Sequence, residues 1–381
     1  MVGAATAAML VAAWPPFLVA VLALQLRGIG LTVVTLGVGV ALFFATAAAL
    51  SPLGGELVRR WGPEPALRIV TGVSAVVCGL LVVAASPAHV LVLLVLAGAV
   101  NALVQPATGA LIRAGAPLRS HGVSLGIVQA SVPMTIVASA ATIPLVLYAS
   151  NWRLAFVVAA AVSVAAFVLI PRRRASASPE RTLRQGVSRP SGVVLPFLVT
   201  ALLAATAASA LSTYASTTGH DLGRDTAPVA AWVAASGLVC AVMRVVSGRI
   251  AGSGSGRDAG RGMLVMIVLF VVGGSGYAAL ATGDPALFGP GLVVGYGFGW
   301  AFPGVLNFVI GASTDDATRS TGWTQVGVFG GSAVGPLVFA LIASGTGDLR
   351  LGWAACAAYV AAALVVTVVI AIRRRNQPPI R

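Results

Sequence analysis

The sequence has 381 residues, of which 58% are hydrophobic and 9% are charged, and its formal net charge is +14. A soluble domain carries about 25% charged residues, so this composition excludes a protein that folds in water. The basic residues are all arginine and lie at the ends of long apolar runs, without interleaved aromatic side chains. That distribution excludes a nucleic-acid-binding surface and is typical of a membrane protein.

Twelve apolar runs follow one another along the chain, and each is long enough to cross a hydrocarbon core about 30 Å thick. Backbone groups in lipid must pair within their own segment, and the runs lack the alternation of barrel strands, so we predict helices. The chain is therefore predicted to be an all-α membrane protein with twelve transmembrane helices. Numbered 1 to 12, the predicted spans are 4–26, 29–53, 67–86, 88–112, 122–148, 153–171, 192–217, 227–251, 263–282, 286–312, 321–345 and 351–372.

The arginines are distributed unequally between the two sides of the membrane. Nineteen lie in the C-terminal tail or in the loops that join spans 2–3, 4–5, 6–7, 8–9 and 10–11, and four lie in the remaining loops. Cytoplasmic loops are enriched in basic residues, so we predict that both termini are cytoplasmic. The expected location is the cell membrane (the inner or cytoplasmic membrane), with a multi-pass topology.

The longest loop, rich in Arg, Ser and Pro, divides the spans into two groups of six and is predicted to be a solvated linker. The two groups share motifs: Pro106 in span 4 has a counterpart in Pro303 of span 10, and Trp152 before span 6 has one in Trp353 of span 12. Such pairs predict an internal pseudo-repeat of two six-helix bundles. The predicted domains are 1–171 for the N-terminal bundle, 172–191 for the linker, 192–372 for the C-terminal bundle and 373–381 for a cytoplasmic tail.

The loop between spans 2 and 3 resembles the signature of the major facilitator superfamily. Gly55, Leu57, Arg60 and Gly62 fit its glycine, leucine and arginine positions, and Arg59 stands where the family has an aspartate. The resemblance covers essentially the whole chain. It implies the family's fold, in which two six-helix bundles rock about a central site and transport solutes by alternating access.

The resemblance also assigns this loop a conformational role, because the family's aspartate helps to latch one conformation. With arginine in its place, Asp315 and Asp316 in loop 10–11 are the candidate partners of Arg59 and Arg60. The alternative is that both arginines only anchor the loop. Glycine and proline in spans 5 and 11 would allow the bending that rocking needs. The candidate gating residues are Gly55, Arg59, Arg60, Gly62, Gly248, Arg249 and Pro336.

Arg244 is the ionisable residue that the sequence places clearly inside a span. With Gly248 it resembles a motif of prokaryotic cyanate, nitroimidazole and monocarboxylate carriers, although Cys240 replaces an aspartate usual one turn earlier. A charge at the centre of a membrane helix costs about 2.5–3.5 kcal/mol on insertion scales, so such a residue is a candidate for function. Arg244 either pairs with a carboxylate or similar anion of a solute, or bonds backbone carbonyls as a structural residue.

Amide and aromatic side chains inside the spans are further candidates for contact with a solute. In the family, spans 1, 4, 7 and 10 line the cavity and spans 2, 5, 8 and 11 flank it. The amides would orient a polar ligand or, alternatively, join neighbouring helices through hydrogen bonds worth about 0.6 kcal/mol each. The aromatic residues would close over a ligand or anchor the chain at the membrane interface. These candidates are Asn101, Gln105, Gln129, Tyr214, Tyr296, Trp300, Asn307 and Gln325.

The acidic residues all fall in loops or at the ends of predicted spans, so no carboxylate is placed mid-membrane for proton coupling. No catalytic triad, metal cluster or phosphate-binding loop is visible, so we expect no enzymatic activity, no cofactor and no metal. The expected partners of a monomeric carrier are a small-molecule solute and the lipid bilayer, without nucleic acid. The predicted solute is a small organic anion. The alternatives are efflux of hydrophobic drugs or metabolites and, in another class, a membrane receptor that moves no solute.

Overall fold

The computed structural model of the chain describes residues 2–115, 121–172, 192, 194–252, 259–313 and 317–375. These residues form fourteen α-helices and one short 3₁₀-helix. The contacts between them divide the chain into two compact units, Met1–Arg189 and Pro190–Arg381, called here the N-terminal and C-terminal units. Most of the predicted linker, 172–191, lies outside the described residues, so the predicted domain boundaries stay a prediction.

The N-terminal unit consists of seven described α-helices, and the 3₁₀-helix Gln25–Ile29 follows the first of them. Its helices are α1 Val2–Val21, α2 Val33–Trp61, α3 Pro63–Val82, α4 Pro87–Gly115, α5 His121–Ala140, α6 Ile143–Ala149 and α7 Arg153–Leu169. The C-terminal unit also has seven. They are α8 Val194–Asp221, α9 Thr226–Gly252, α10 Ala259–Ala281, α11 Pro285–Gly299, α12 Phe302–Gly311, α13 Ala317–Thr346 and α14 Leu349–Arg375.

Among the described residues, eleven segments are long and apolar enough to cross a membrane, and the apolar helix α7, Arg153–Leu169, is shorter. Two of the eleven, Gly126–Ala149 and Pro285–Ile310, each combine two consecutive helices. With α7, these segments correspond to the twelve predicted spans and confirm the all-α membrane architecture.

Spans 5 and 10 are each broken into two helices, whereas the sequence predicted one continuous helix for each. Span 5 is interrupted at Ala141 and Thr142, between α5 and α6, and span 10 at Trp300 and Ala301, between α11 and α12. A proline lies at the start of the second helix in both cases, Pro144 in α6 and Pro303 in α12. Proline lacks the N–H that the previous turn needs and its ring crowds that turn, so it ends one helix and begins another.

Proline does not break α4, although Pro106 lies inside it. Because Pro106 has no N–H, the carbonyl of Ala102 four residues earlier loses its usual helical donor. Gly54 of α2 packs directly against that carbonyl, since a Cβ atom on Gly54 would lie 2.5 Å from the Ala102 oxygen. A close approach between two helices at a glycine therefore covers the interrupted turn.

The connection between α2 and α3 is shorter than the predicted loop 2–3. Gly62, with φ of 89°, ends α2, and Pro63 starts α3 at once. Only glycine adopts this backbone conformation readily, and proline is favoured at the first position of a helix. As a result Arg68, which the prediction placed at the very start of span 3, lies in the second turn of α3.

Arg68 joins the beginning of α3 to the end of α7. Its Nη1 donates to the carbonyl oxygens of Phe167 at 3.4 Å and Ile170 at 3.2 Å, and its guanidinium lies 4.0 Å from the centre of the Phe167 ring. The last carbonyls of a helix have no partner within the helix and carry its partial negative charge. A cation at this point therefore stabilises the C-terminus of α7.

Arg153, at the beginning of α7, makes the reciprocal contact with the end of α3. Its Nε donates to the Val82 carbonyl oxygen at 3.0 Å, and its guanidinium lies 4.5 Å from the centre of the Trp152 ring. The two helices are antiparallel neighbours, so each provides an arginine for the C-terminus of the other.

In the C-terminal unit, α8 and α13 pack closely along a row of glycines on α13. A Cβ atom on Gly331 would lie 2.1 Å from the Leu202 carbonyl oxygen, and one on Gly335 would lie 2.0 Å from the Thr206 carbonyl oxygen. Small residues at this spacing let two membrane helices approach closely enough for backbone contact.

Candidate functional site

Arg244 reaches the break between α11 and α12 from the neighbouring helix α9. Its side chain is 4% exposed, and its Nε donates to the Trp300 carbonyl oxygen at 3.2 Å. Trp300 directly follows the last residue of α11, where carbonyl groups have lost their helical partners. The structural alternative considered from the sequence, a bond to a backbone carbonyl, is therefore present, and a contact with a solute remains a prediction.

Aromatic and sulfur-containing side chains surround the Arg244 guanidinium. Its central carbon lies 5.6 Å from the centre of the Trp300 ring, which packs edge-to-face on Tyr296 with ring centres 5.0 Å apart. The thiol of Cys240, one turn earlier on α9, also lies beside the guanidinium. The aromatic ring of Trp300 and the polar thiol of Cys240 thus lie close to the positive charge of Arg244.

Two tyrosine hydroxyl groups are buried in the same unit, and one of them belongs to Tyr296, which packs on Trp300 beside Arg244. Among the described residues, neither the Tyr296 nor the Tyr277 hydroxyl has a hydrogen-bond partner, and both side chains are fully buried. A buried hydroxyl that makes no hydrogen bond costs free energy, so each is a candidate for contact with a polar ligand. The Tyr277 ring packs against Gly299, the last residue of α11.

Tyr277 was not among the candidates from the sequence. It lies in a glycine-rich stretch of α10, and the sequence contains no motif that separates it from an interfacial anchor. Its position inside a long apolar span could have indicated Tyr277 as a candidate, because the hydroxyl of a tyrosine within a span needs a hydrogen-bond partner.

The amides of Gln105 and Gln129 meet in the N-terminal unit. The Nε2 of Gln129 on α5 donates to the Oε1 of Gln105 on α4 at 3.2 Å. Asn101 lies one turn before Gln105 on α4 and is buried. The alternative considered for each amide, a hydrogen bond between helices, is therefore realised by this pair.

Tyr214 is held inside the C-terminal unit by defined contacts. Its hydroxyl donates to the Pro336 carbonyl oxygen at 2.9 Å, and its ring stacks on Phe339 with ring centres 4.5 Å apart. The candidate gating residue Pro336 and the candidate solute contact Tyr214 are thus joined across α8 and α13. Asn307 on α12 and Gln325 on α13 are partly buried.

The candidate gating residues lie at the ends of α2 and α9. Gly55 is partly buried, Arg60 is exposed, and Gly62 forms the turn into α3. On α9, Gly248 is partly buried and Arg249 is exposed. The Arg59 side chain and both predicted partners, Asp315 and Asp316, lie outside the described residues, so the pairing stays a prediction.

Glu64, predicted between spans 2 and 3, is a buried carboxylate at the end of a helix. It lies in the first turn of α3 with 3% of its side chain exposed. The N-terminus of a helix favours a negative charge, which gives a physical reason for this position.

The comparisons with known proteins agree with this architecture. The family model of the Major Facilitator Superfamily matches residues 1–258. No curated protein matches the chain in sequence.

Among solved structures, the chain is similar to a mutant of the nucleoside transporter NupG, with a TM-score of 0.74 and 12% identity over 96% of this chain and 98% of that one. It is also similar to a bacterial homologue of the human lysosomal transporter Spinster in an inward-facing and occupied conformation. That match has a TM-score of 0.67 and 16% identity over 97% of this chain and 94% of that one. At these identities the likeness shows the fold alone, which confirms the predicted fold class.

Proposed function

The chain belongs to the major facilitator superfamily and is a multi-pass membrane transporter, and on that premise we propose that it carries a small organic anion that binds Arg244. The observation behind this proposal is a permanently charged guanidinium, 4% exposed, inside a helix of the C-terminal unit. Burying that charge costs free energy, and a bound anion would offset the cost while the solute crosses the membrane.

Carboxylate chemistry suits this position. An arginine binds a carboxylate through two parallel N–H···O bonds, which fix the orientation of the anion. The acidic residues that the structure describes in this unit, Asp221, Asp225, Asp284 and Asp348, lie at helix ends or in turns. Because those carboxylates lie away from the middle of the spans, a solute would supply the negative charge there.

Further polar groups would recognise the remainder of the solute. The buried hydroxyl groups of Tyr296 and Tyr277 would each gain a hydrogen-bond partner from a solute oxygen. The other proposed solute contacts remain those predicted from the sequence: Asn101, Gln105, Gln129, Tyr214, Trp300, Asn307 and Gln325.

The location, the orientation and the driving force of transport are also part of the proposed function. The distribution of arginines supports a location in the inner or cytoplasmic membrane with both termini in the cytoplasm. The carrier would act as a monomer, without enzymatic activity, and an ion gradient or solute exchange would drive it.

The decisive experiment is a thermal-shift screen of the purified chain followed by uptake into proteoliposomes. A ligand that binds only the folded state raises the unfolding midpoint, so small monocarboxylates and dicarboxylates should stabilise the protein. Arg244→Gln should weaken the apparent affinity for those anions about 10- to 100-fold, the ratio expected from losing hydrogen bonds to a charged group. Arg373→Gln removes the same charge from an exposed site at the end of α14 and should leave the affinity unchanged.

Other outcomes would replace the proposal. Stabilisation by lipophilic cations alone would favour efflux of hydrophobic compounds, and stabilisation by nucleosides alone would favour a neutral polar solute. Unchanged anion uptake by a folded Arg244→Gln variant would reject the role of Arg244. A protein that moves no solute in any arm would be a receptor instead.

A further inference from the structure

We infer that the N-terminal unit binds the phosphodiester headgroup of an anionic phospholipid where α3 begins and α7 ends, through Arg68 and Arg172. A cavity of about 410 Å³ lies at this point of the surface, within the usual size of small-ligand sites. It is lined by Arg68, Phe167, Val168, Ile170, Pro171 and Arg172.

Arg68 is held in position before any ligand binds. Both of its hydrogen bonds to the end of α7, to Phe167 and Ile170, come from Nη1, and the guanidinium lies against the Phe167 ring. A guanidinium has five N–H donors, and a phosphate accepts two of them in parallel. The Arg68 side chain is already ordered in the protein without ligand, so binding of a phosphate costs less conformational entropy.

Arg172 adds a second positive charge to the lining of the cavity. It follows the end of α7 and is exposed, and the sequence continues with Arg173 and Arg174. The six lining residues include no acidic side chain. This balance of charge favours a headgroup with a net negative charge over a zwitterionic one.

The apolar surface next to the cavity points to a lipid rather than a soluble phosphate compound. Val168 and Leu169, in the last turn of α7, are 71% and 67% exposed, and Ile69 of α3 is exposed as well. Exposed aliphatic residues on a spanning helix face acyl chains. Arg68 lies near the beginning of α3 and Arg172 just after the end of α7. The headgroup would therefore reach both arginines while its chains cover the aliphatic residues.

The test measures lipid binding to the purified full chain in detergent, with no transported solute present. Phosphatidylglycerol and phosphatidylcholine with the same acyl chains are titrated, and bound lipid is counted by native mass spectrometry beside the unfolding midpoint. Phosphatidylglycerol should bind saturably and raise the midpoint more than phosphatidylcholine. Arg68→Gln and Arg172→Gln should each weaken it about fivefold, the ratio expected for one arginine at a membrane surface.

Arg153→Gln is the matched control. It removes the same charge from the other end of α7 and the same kind of contact with a helix terminus, so binding of phosphatidylglycerol should stay at the wild-type level. Arg172 takes no part in the contact between α3 and α7, so its variant tests the site even if Arg68→Gln is unstable.

Three results would overturn the inference. They are equal binding of the two lipids, full affinity in folded Arg172→Gln, and the same loss in Arg153→Gln. Inorganic phosphate that stabilises the protein and displaces phosphatidylglycerol would also overturn it, in favour of a site for free anions. None of these results depends on Arg244.

Discussion

Pro106 in α4 and Pro303 in span 10 occupy corresponding positions of the pseudo-repeat, and the two units accommodate them differently. In the N-terminal unit the helix continues through Pro106, and Gly54 of α2 covers the carbonyl of Ala102. In the C-terminal unit the helix stops before Pro303, and Arg244 of α9 binds the carbonyl of Trp300. In both units a neighbouring helix thus contacts a carbonyl group in the turn before the proline, through a glycine in one and an arginine in the other.

This difference has a functional side. A glycine contact brings two backbones together without polar side chains, whereas an arginine contact introduces a buried charge. The proposed anion contact therefore lies at the interruption of span 10. The candidate solute contacts of the other unit are neutral amides.

The largest expected effect comes from Gly54. Gly54→Ala would place a Cβ atom 2.5 Å from the Ala102 carbonyl oxygen, so α2 and α4 would have to separate, at a cost of about 1–3 kcal/mol. Gly55→Ala meets no atom within 4 Å and should instead gain up to about 1 kcal/mol of helix propensity. Chemical denaturation in detergent should show opposite signs for the two variants. Equal stability would mean that Gly54 is not the residue that protects the turn.

The two prolines should also respond with opposite signs. Pro106→Ala restores a backbone N–H within a continuous helix and should raise the free energy of unfolding by about 1 kcal/mol or more. Pro303→Ala removes a residue suited to the first turn of α12 and should lower it by roughly 0.5–1 kcal/mol. The unfolding midpoints of both variants, measured in one detergent, test this directly. A shift of the same sign in both would show that the two prolines are accommodated alike.

The smallest expected effect lies at the beginning of α14. Asn151 and Asp348 occupy matching places, since each accepts a hydrogen bond from the backbone N–H of the arginine two residues later, at 3.1 and 2.8 Å. The Arg153 side chain extends to α3, whereas the Arg350 side chain binds Asp348, with Nη2 2.8 Å from the carboxylate. That guanidinium holds the pKa of the Asp348 carboxyl below its usual value.

A lowered pKa in the folded state adds stability above the unfolded pKa of about 3.9, and that stability is lost as the pH falls through the folded pKa. Asp348→Asn should therefore lose slightly less stability than the wild type between about pH 5 and pH 3. Both side chains reach solvent, so the difference should be small and should shrink in high salt. Identical pH profiles of the unfolding midpoint would show that the ion pair contributes nothing.

The sequence was sufficient to predict the spans, because hydropathy and length decide insertion into lipid regardless of which helices are neighbours. It could not separate Pro106 from Pro303, since the contacts beside the two prolines come from Gly54 and Arg244, which lie on other helices. For the same reason, the sequence did not indicate that the arginine of span 8 contacts the carbonyl of Trp300. The contact of Arg68 with α7 joins residues about one hundred positions apart, and no local pattern indicates it.

The two arginines that join α3 and α7 fix the lengths of these helices as well as their association. The segment from Arg68 to Val82 has the same number of residues as the segment from Arg153 to Phe167. The two segments are therefore equally long, and both contacts form at once. Deleting one residue from either segment would shorten it by about 1.5 Å and rotate the residues beyond it by about 100°. One guanidinium would then face away from its carbonyl. The pairing of the two helices should therefore tolerate substitutions between the two contacts, but not a change in the number of residues between them.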